Sequence, residues 1–585
     1  MKYFFENDFS KCSSRDFNRS DFSFRKIDTT LNFFHRYLLS SIRGGLASPF
    51  LKLIYTENYS TGFQSGLNTM NVFNYSNDSI KYFRTRTPYT ELFLEIGQGK
   101  EQFFKLIHSQ NITKQWNVAL NILRANSEGI YQRQNMSSNN LSVSSNFVSK
   151  SNRYVLLTNG IYRSFKKDEN GGIEKDSLFE NNVFSNRKLI EINLTDARSR
   201  TGERNFFMKH FFYFGKKESL KVNDSVSVNH VIPRSYISYS FSVKDHWFVY
   251  ADKNPLSGFY NNVLRDTIET LDSTHVTNFE NSVALQFFVK KIKERVFYTN
   301  SINNVFNKYD NDSMIMNHIV GAEIFSNNSS ENFSVSGKYV VSGTNLGDYF
   351  CKGEMSQLFK KRMTISLFTL LRSPEYLFTN YTSNHFQWIN TFSKISEKTA
   401  EFKISDGKGF LTLNFSRMYN YVYFDSTFLP MQNQGKIDIA SISGQYHFSF
   451  KKMHFDFFAQ LQISSDTNNL IHLPVTIQHH SLYYEDSWFK KVMQAQVGID
   501  LFYYTSFYSD GYIPAVGAYY LQNNIKTGNY PYIDFFFNMK IRYTKIFFKA
   551  ENVTAGLFGY KYYTTLHYPS CDRILKFGIS IKFWD

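Results

Sequence analysis

Few residues in this 585-residue chain stand at spacings that do chemistry. His479-His480 offers two imidazoles to a metal ion, but neighbours in a strand point to opposite faces. No acidic or cysteine partner stands at ligand spacing. Asp310 and Asp312 could present carboxylates to Ca²⁺, yet the glycine and the closing glutamate of an EF-hand are missing. A solvated loop fits better. Gly97-Gln98-Gly99-Lys100-Glu101 has the ingredients of a phosphate loop without its spacing or the Ser/Thr after Lys, and reads as a hairpin turn. There is no GxSxG elbow and no HExxH helix. Cys12, Cys351 and Cys571 are far apart and form neither a disulfide framework nor a CxxC pair. The residues before Cys12 lack the small and apolar character expected ahead of a lipidated cysteine. No nucleophile, base and orienter can be assembled. The chain reads as a non-enzyme without cofactor or metal.

Charge poses a separate question, because 66 Lys+Arg against 50 Asp+Glu give +16. The cations are dispersed. Lys166-Lys167 and Lys360-Lys361-Arg362 are the densest runs, and no basic patch is interleaved with aromatics. A nucleic-acid partner is not expected.

The dominant sequence period is two. Ile237, Tyr239, Phe241 and Val243 alternate with serines and Lys244, and Met493 through Tyr503 alternates against Gln494, Gln496, Gly498 and Asp500. Alternation of this kind gives each strand one apolar and one polar face. Phe448-Ser449-Phe450 leads through Lys451-Lys452 into 453–464, and Arg542-Tyr543-Thr544 joins two further strands. Both read as tight antiparallel hairpins. Longer polar stretches are read as loops at 166–203, 343–362, 504–530 and 553–573. No stretch of ~20 apolar residues exists, which excludes a helical membrane bundle.

A soluble sandwich and a membrane barrel share this alternation. The runs 437–450, 453–464, 492–504 and 531–542 reach the ~9–11 residues that a membrane strand needs. A sheet in lipid must close on itself. Tyr483-Tyr484, Tyr503-Tyr504, Tyr543 and Trp584 suit interfacial girdles or ordinary strand propensity. The final segment favours the barrel. Leu575, Phe577, Ile579, Ile581 and Phe583 form an apolar stripe opposed by Lys576, Gly578, Ser580 and Lys582. Lys576, Gly578, Ile581, Phe583 and Trp584 resemble the C-terminal assembly signal of outer-membrane barrels, whose last strand pairs with the first to remove both edges.

Further patches carry a more specific resemblance. Gly528-Asn529-Tyr530-Pro531-Tyr532-Ile533-Asp534, Lys549-Ala550-Glu551-Asn552-Val553 and His567-Tyr568-Pro569 precede the last strand. Upstream stand Gly44-Gly45-Leu46-Ala47-Ser48-Pro49, Gly97-Gln98-Gly99-Lys100-Glu101-Gln102 and His108-Ser109-Gln110-Asn111. Glu169-Asn170-Gly171-Gly172-Ile173 and Asn193-Leu194-Thr195-Asp196-Ala197 complete the set, whereas 220–480 matches in alternation alone. In this order they resemble the putative porin family of Bacteroidetes-type bacteria. The chain's end, with Ser41-Ile42-Arg43-Gly44-Gly45, also resembles TonB-dependent receptors, but little chain precedes residue 41 to build their plug.

The resemblance implies an all-β, transmembrane, antiparallel up-and-down barrel with an even strand number, expected at ~14–18. Residues 1–30 are expected as a polar, periplasmic or disordered extension, and 31–585 as a single barrel with long loops. The implied function is a porin-like channel of a Gram-negative outer membrane for passive diffusion of small solutes. A plugged structural or assembly-partner barrel and a secreted adhesive β protein remain alternatives. Met1-Lys2-Tyr3-Phe4-Phe5 is followed at once by Glu6-Asn7-Asp8, so no apolar signal region is read. Partners expected are outer-membrane lipid, small solutes and the barrel-assembly machinery through the last strand. Candidate pore-lining residues are Asp500, Asp534, Lys540, Arg542, Lys549, Glu551, Lys576 and Lys582, whose surplus of cations predicts a mild anion preference.

Overall fold

The computed structural model describes residues 2–4, 15–16, 48–49, 51–67 and 77–584, the last span broken at 224–225, 256–257, 290, 327–331 and 358–361. Side chains are described for all of these except 2, 4, 15, 16, 217–223 and 226–233. The expected extension 1–30 therefore lies outside the described residues, save for two short strands. Lys2–Phe4 and Arg15–Asp16 form a small sheet with Tyr82–Arg84.

Period-two alternation builds a closed antiparallel barrel of 22 strands. The first six are β1 (Tyr89–Gly97), β2 (Glu101–Asn111), β3 (Trp116–Ser127), β4 (Met136–Val148), β5 (Tyr154–Glu169) and β6 (Ala197–Asn223). β7 (Val226–Asp252), β8 (Thr270–Val289), β9 (Ile292–Asn307), β10 (Ser313–Ser326) and β11 (Asn332–Gly343) follow. Next come β12 (Tyr349–Ser356), β13 (Met363–Arg372), β14 (Ile395–Ser405), β15 (Gly409–Phe424) and β16 (Pro430–Phe450). The wall is completed by β17 (Met453–Ser464), β18 (Thr476–Trp488), β19 (Met493–Tyr504), β20 (Tyr532–Ile541), β21 (Thr544–Glu551) and β22 (Ile574–Trp584). β22 pairs with β1 from Lys576↔Gly97 to Trp584↔Tyr89, so neither edge is left open.

The even number and the antiparallel order agree with the reading of the sequence. The count exceeds the expected 14–18, and the first barrel strand begins at Tyr89. One cause is visible at 343–362, read as a loop, where β12 pairs with both neighbours. Loops do occupy 170–196, 505–531 and 552–573, and two more lie at 253–269 and 373–394. All five lie at one end of the barrel. The opposite end carries tight connections such as Lys451-Lys452 and Arg542-Tyr543, together with the last residue of β22. Short turns on the periplasmic side and long loops outside are the asymmetry of outer-membrane barrels.

Among the described residues no second layer covers the apolar stripes. Leu141, Phe206, Leu285, Val320, Leu413 and Ile463 all point outward and are exposed. Their burial is left to the bilayer. The apolar face therefore meets hydrocarbon, and the polar face turns inward.

Candidate functional site: the occupied lumen

The polar faces of β19–β22 and β1–β2 meet across the strands as a ladder of ion pairs. Lys549 Nζ lies 3.3 Å from Asp534 and 3.8 Å from Asp500. One step along, Lys576 Nζ reaches Glu101 at 2.7 Å, Glu551 at 3.4 Å and Glu95 at 3.7 Å. Below it, Glu91 accepts Lys105 at 3.4 Å and Lys582 at 3.7 Å. Seven of the eight residues expected to line a pore face inward. Arg542 does not, because it is an exposed turn residue with positive φ. The acids Glu91, Glu95 and Glu101 were missed because they belong to the first strands, which meet the last ones only on closure. In this sector six inward lysines, Lys105, Lys540, Lys545, Lys549, Lys576 and Lys582, face six carboxylates, so it shows no surplus of cations to favour anions.

Lys576 is the hub of three carboxylates, with its side chain only 10 % exposed and Glu95 at 1 %. Lys576→Met should cost about 3–5 kcal/mol, since it leaves buried carboxylates uncompensated. The folded, heat-shifted gel band would then be lost at lower urea, and an unchanged urea midpoint would refute the hub role.

The second feature is a strand of chain inside the barrel. Residues 51–67 run along the inner wall, touching one strand after another. Leu53 O accepts from Gln462 of β17 at 2.6 Å, and Tyr55 OH donates to Glu397 of β14 at 2.6 Å. Glu57 accepts from Asn414 of β15 at 2.8 Å, while the Tyr59 ring sits edge-on to Phe368 of β13, centroids 4.9 Å apart. Ser65 lies 3.0 Å from His246 of β7. Residues 77–85 continue along the other side. Ser144 donates to Lys81 O at 3.0 Å and Asn159 to Tyr82 OH at 2.9 Å. The Tyr82 ring is buried with Leu157, Ile161 and Phe211. Sequence reasoning missed this segment, whose sequence carries neither a strand period nor a helical one.

A third feature closes the long-loop end. Loop 505–531 leaves β19 and crosses to the far wall, where Tyr512 OH donates to Glu169 of β5 at 3.3 Å. Gly517 has positive φ and lies so close to Phe248 of β7 that a Cβ would stand 3.0 Å from the ring. Ala515 accepts from Tyr381 and donates to Tyr260, side chains from two other loops. Loop 170–196 inserts Phe179 beneath Tyr560, Tyr562 and Tyr563 of loop 552–573. Arg187 clamps Asp572 at 2.8 Å and lies over the Phe179 ring.

Patches scattered along the sequence converge here. Ile173 N donates to His567 O at 2.9 Å, and a Cβ on Gly172 would stand 2.8 Å from that of His567. Asn193 donates to Gly171 O at 3.0 Å. Asn552 takes Asp534 at its backbone N–H and Tyr530 at its side chain, 2.9 and 3.2 Å away. These contacts explain why glycines and amides stand at those positions: close backbone approach and buried donors that need acceptors.

Two histidine–aspartate contacts join loops to one another. His567 meets Asp176 at 3.0 Å. His472 Nδ1 meets Asp510 at 2.5 Å, and its Nε2 faces the Asn523 side-chain oxygen at 3.0 Å. Acceptors at both nitrogens favour the charged imidazolium. Burial is the largest influence and would lower the His472 pKa, but Asp510 by hydrogen bond and charge, aided by Asn523, outweighs it and raises the pKa. The stabilisation is therefore full below the unfolded value of about 6.5 and is lost as pH rises through the higher folded pKa. Tryptic cleavage after Lys526 should accelerate above that pH in the native protein, and His472→Gln should remove the acceleration. Equal pH dependence in both proteins would exclude the contact as a latch. His479 and His480 point to opposite faces of β18, and His480 faces outward and stacks on Phe457, centroids 4.9 Å apart.

The family model described as "Putative porin" matches residues 14–585. The chain belongs to the putative porin family. No curated protein matches it by sequence. Among solved structures, the FrpB iron transporter from Neisseria meningitidis superposes with TM-score 0.60 at 8% identity, covering 86% of this chain and 83% of that one. The ferric-catecholate import receptor Fiu from E. coli gives 0.55 at 12% identity, covering 89% and 85%. BauA, the ferric preacinetobactin receptor from Acinetobacter baumannii, gives 0.56 at 9%, covering 85% and 80%. At such identities the likeness is one of fold. Family and fold together make this porin-family member an outer-membrane transport barrel.

Proposed function

We propose that this porin-family protein is a transport barrel closed at rest, through which solute passes only when the luminal segment and the loop lid are displaced. The role is transport and not catalysis. The observation that carries the reading is the path of residues 51–67, which contacts inward side chains from β17 round to β7. Strand number points the same way, since barrels of 16–18 strands leave an aqueous channel and those of about 22 hold a plugged lumen. Passive diffusion, expected from the sequence, would need a continuous water path that these residues interrupt. The mixed-charge inner wall supplies a wettable conduit once they move. Assembly through the paired last strand belongs to the same reading, with the barrel-assembly machinery as partner.

Planar-bilayer recording tests it. The full-length protein should insert without a steady ohmic conductance. A stable open current at low voltage would restore the passive porin.

A further inference from the structure

The outer wall carries a feature that transport through the lumen does not use. At the long-loop end of β3–β6 the outward positions change from apolar to polar and basic within two register steps. Ile122, Leu141 and Tyr162 are adjacent cross-strand partners on the lipid face. Two residues further up stands Arg124, and four residues above Tyr162 stands Lys166, about 13 Å along the strand at ~3.3 Å per residue. That height is where hydrocarbon gives way to headgroups. Lys166 is the direct cross-strand partner of Arg200. Two cations placed opposite each other repel, and neither has an ion pair with any described residue. Arg198, two residues above Arg200, and Lys100, in the turn between β1 and β2, extend the patch, while Arg204 lies below it as the direct partner of Tyr162.

The acids nearby are already engaged. Asp168 accepts from Arg198 at 3.0 Å and from Asn135 at 2.7 Å, and Glu128 from Lys100 at 2.6 Å. Lys100, Lys166, Arg198 and Arg200, with the paired carboxylates of Glu128 and Asp168, line an open depression of about 440 Å³. The patch is local. At the same end of β8–β10 the outward positions are Leu271, Phe306 and Met314, all exposed. Arg204 lies over the Trp247 ring, 5.4 Å from its centroid. That indole rests against Gly202, where a Cβ would collide with it. The indole thus sits at the membrane interface, one outward step below Arg200 and one above Arg204.

We propose that this depression is a binding site for the phosphate-bearing headgroup of an anionic lipid in the outer leaflet, held by Lys166 and Arg200 with Lys100, Arg198 and Arg124 around them. The acyl chains would lie on the apolar belt formed by Ile122, Leu141 and Tyr162. Each cation near a charged membrane surface contributes about 1 kcal/mol, or roughly fivefold in association.

The test uses the full-length protein in phosphatidylcholine vesicles carrying spin-labelled phosphatidic acid or spin-labelled phosphatidylcholine. In 50 mM salt the motionally restricted fraction should show a several-fold preference for phosphatidic acid. The preference should fall to within about twofold in the Lys166→Glu/Arg200→Glu double variant. It should persist in Lys451→Glu, a charge reversal in a turn at the other end. Equal association of the two lipids with the native protein would overturn the proposal, as would a preference that survives the double reversal. Should the double variant fail to fold, the native protein decides: 500 mM salt should abolish most of the preference, and an unchanged preference would count against the site.

Discussion

Deleting residues 1–80 and shortening loop 505–531 in the same molecule should produce a steady current at least about tenfold above either change alone, because two obstructions in series each block a water-filled path. The luminal segment and the lid are distinct bodies of structure. Residues 51–67 rest on inward polar groups such as Glu397, Asn414 and Gln462. The lid is held by aromatic packing and loop-to-loop bonds around Phe179, Tyr260 and Ala515. They touch at Leu53, which is buried among Phe502, Ile477 and the lid tyrosines, and at Gln64 and Ser65, whose carbonyls accept from Tyr376 and Leu377 at 2.8 and 3.1 Å. Cutting either should loosen the other without opening the barrel. Heat-modifiable gel migration would first establish that each deletion still closes its sheet. A large current from the segment deletion alone would show that the loops do not seal the mouth.

Gly578→Leu should prevent the barrel from closing, and Phe547→Ala should rescue it in part. Gly578 faces the lumen from β22, directly opposite Phe547 of β21. The Phe547 ring lies flat over the glycine, so that a Cβ there would stand 2.1 Å from ring carbon. That ring in turn stacks on Phe93 of β1, centroids 6.1 Å apart. One aromatic therefore bridges the seam where the last strands meet the first. Overpacking inside a barrel wall costs about 1–3 kcal/mol where side chains can shift, and this ring is held on both sides. The loss should appear as a missing heat-shifted band, and the double variant should recover some of it. Normal folding of Gly578→Leu would remove the glycine from the closure device.

Most of the wall was legible because a strand with one oily face announces itself. The C-terminal stripe from Leu575 to Phe583 and the hairpin through Lys451-Lys452 stand where alternation put them. Two of the tyrosines offered as girdle residues do not. Tyr483 and Tyr504 point inward and are buried, whereas Tyr543 and Trp584 meet at the periplasmic rim, centroids 4.8 Å apart. Alternation fixes which residues share a face, but a tyrosine at a strand end belongs to either. The lumen was illegible for a different reason. Tyr55, Glu57 and Ser65 follow no period, and the side chains that hold them lie hundreds of residues away. Glu91, Glu95 and Glu101 were equally hidden, since only closure of β22 on β1 brings them to Lys576 and Lys582.

Cross-linking gives the most direct test of whether residues 51–67 lie inside the barrel. Tyr59→Cys and Phe368→Cys would be combined in a chain with Cys12 and Cys351 replaced by Ser and Cys571 by Ala, then treated with a short bis-maleimide in the folded state. An occupied lumen predicts an intramolecular cross-link in the heat-shifted band, with the thiol introduced at position 59 shielded from a membrane-impermeant maleimide on whole cells. Free labelling of that thiol without any cross-link to position 368 would place the segment outside and contradict the closed barrel.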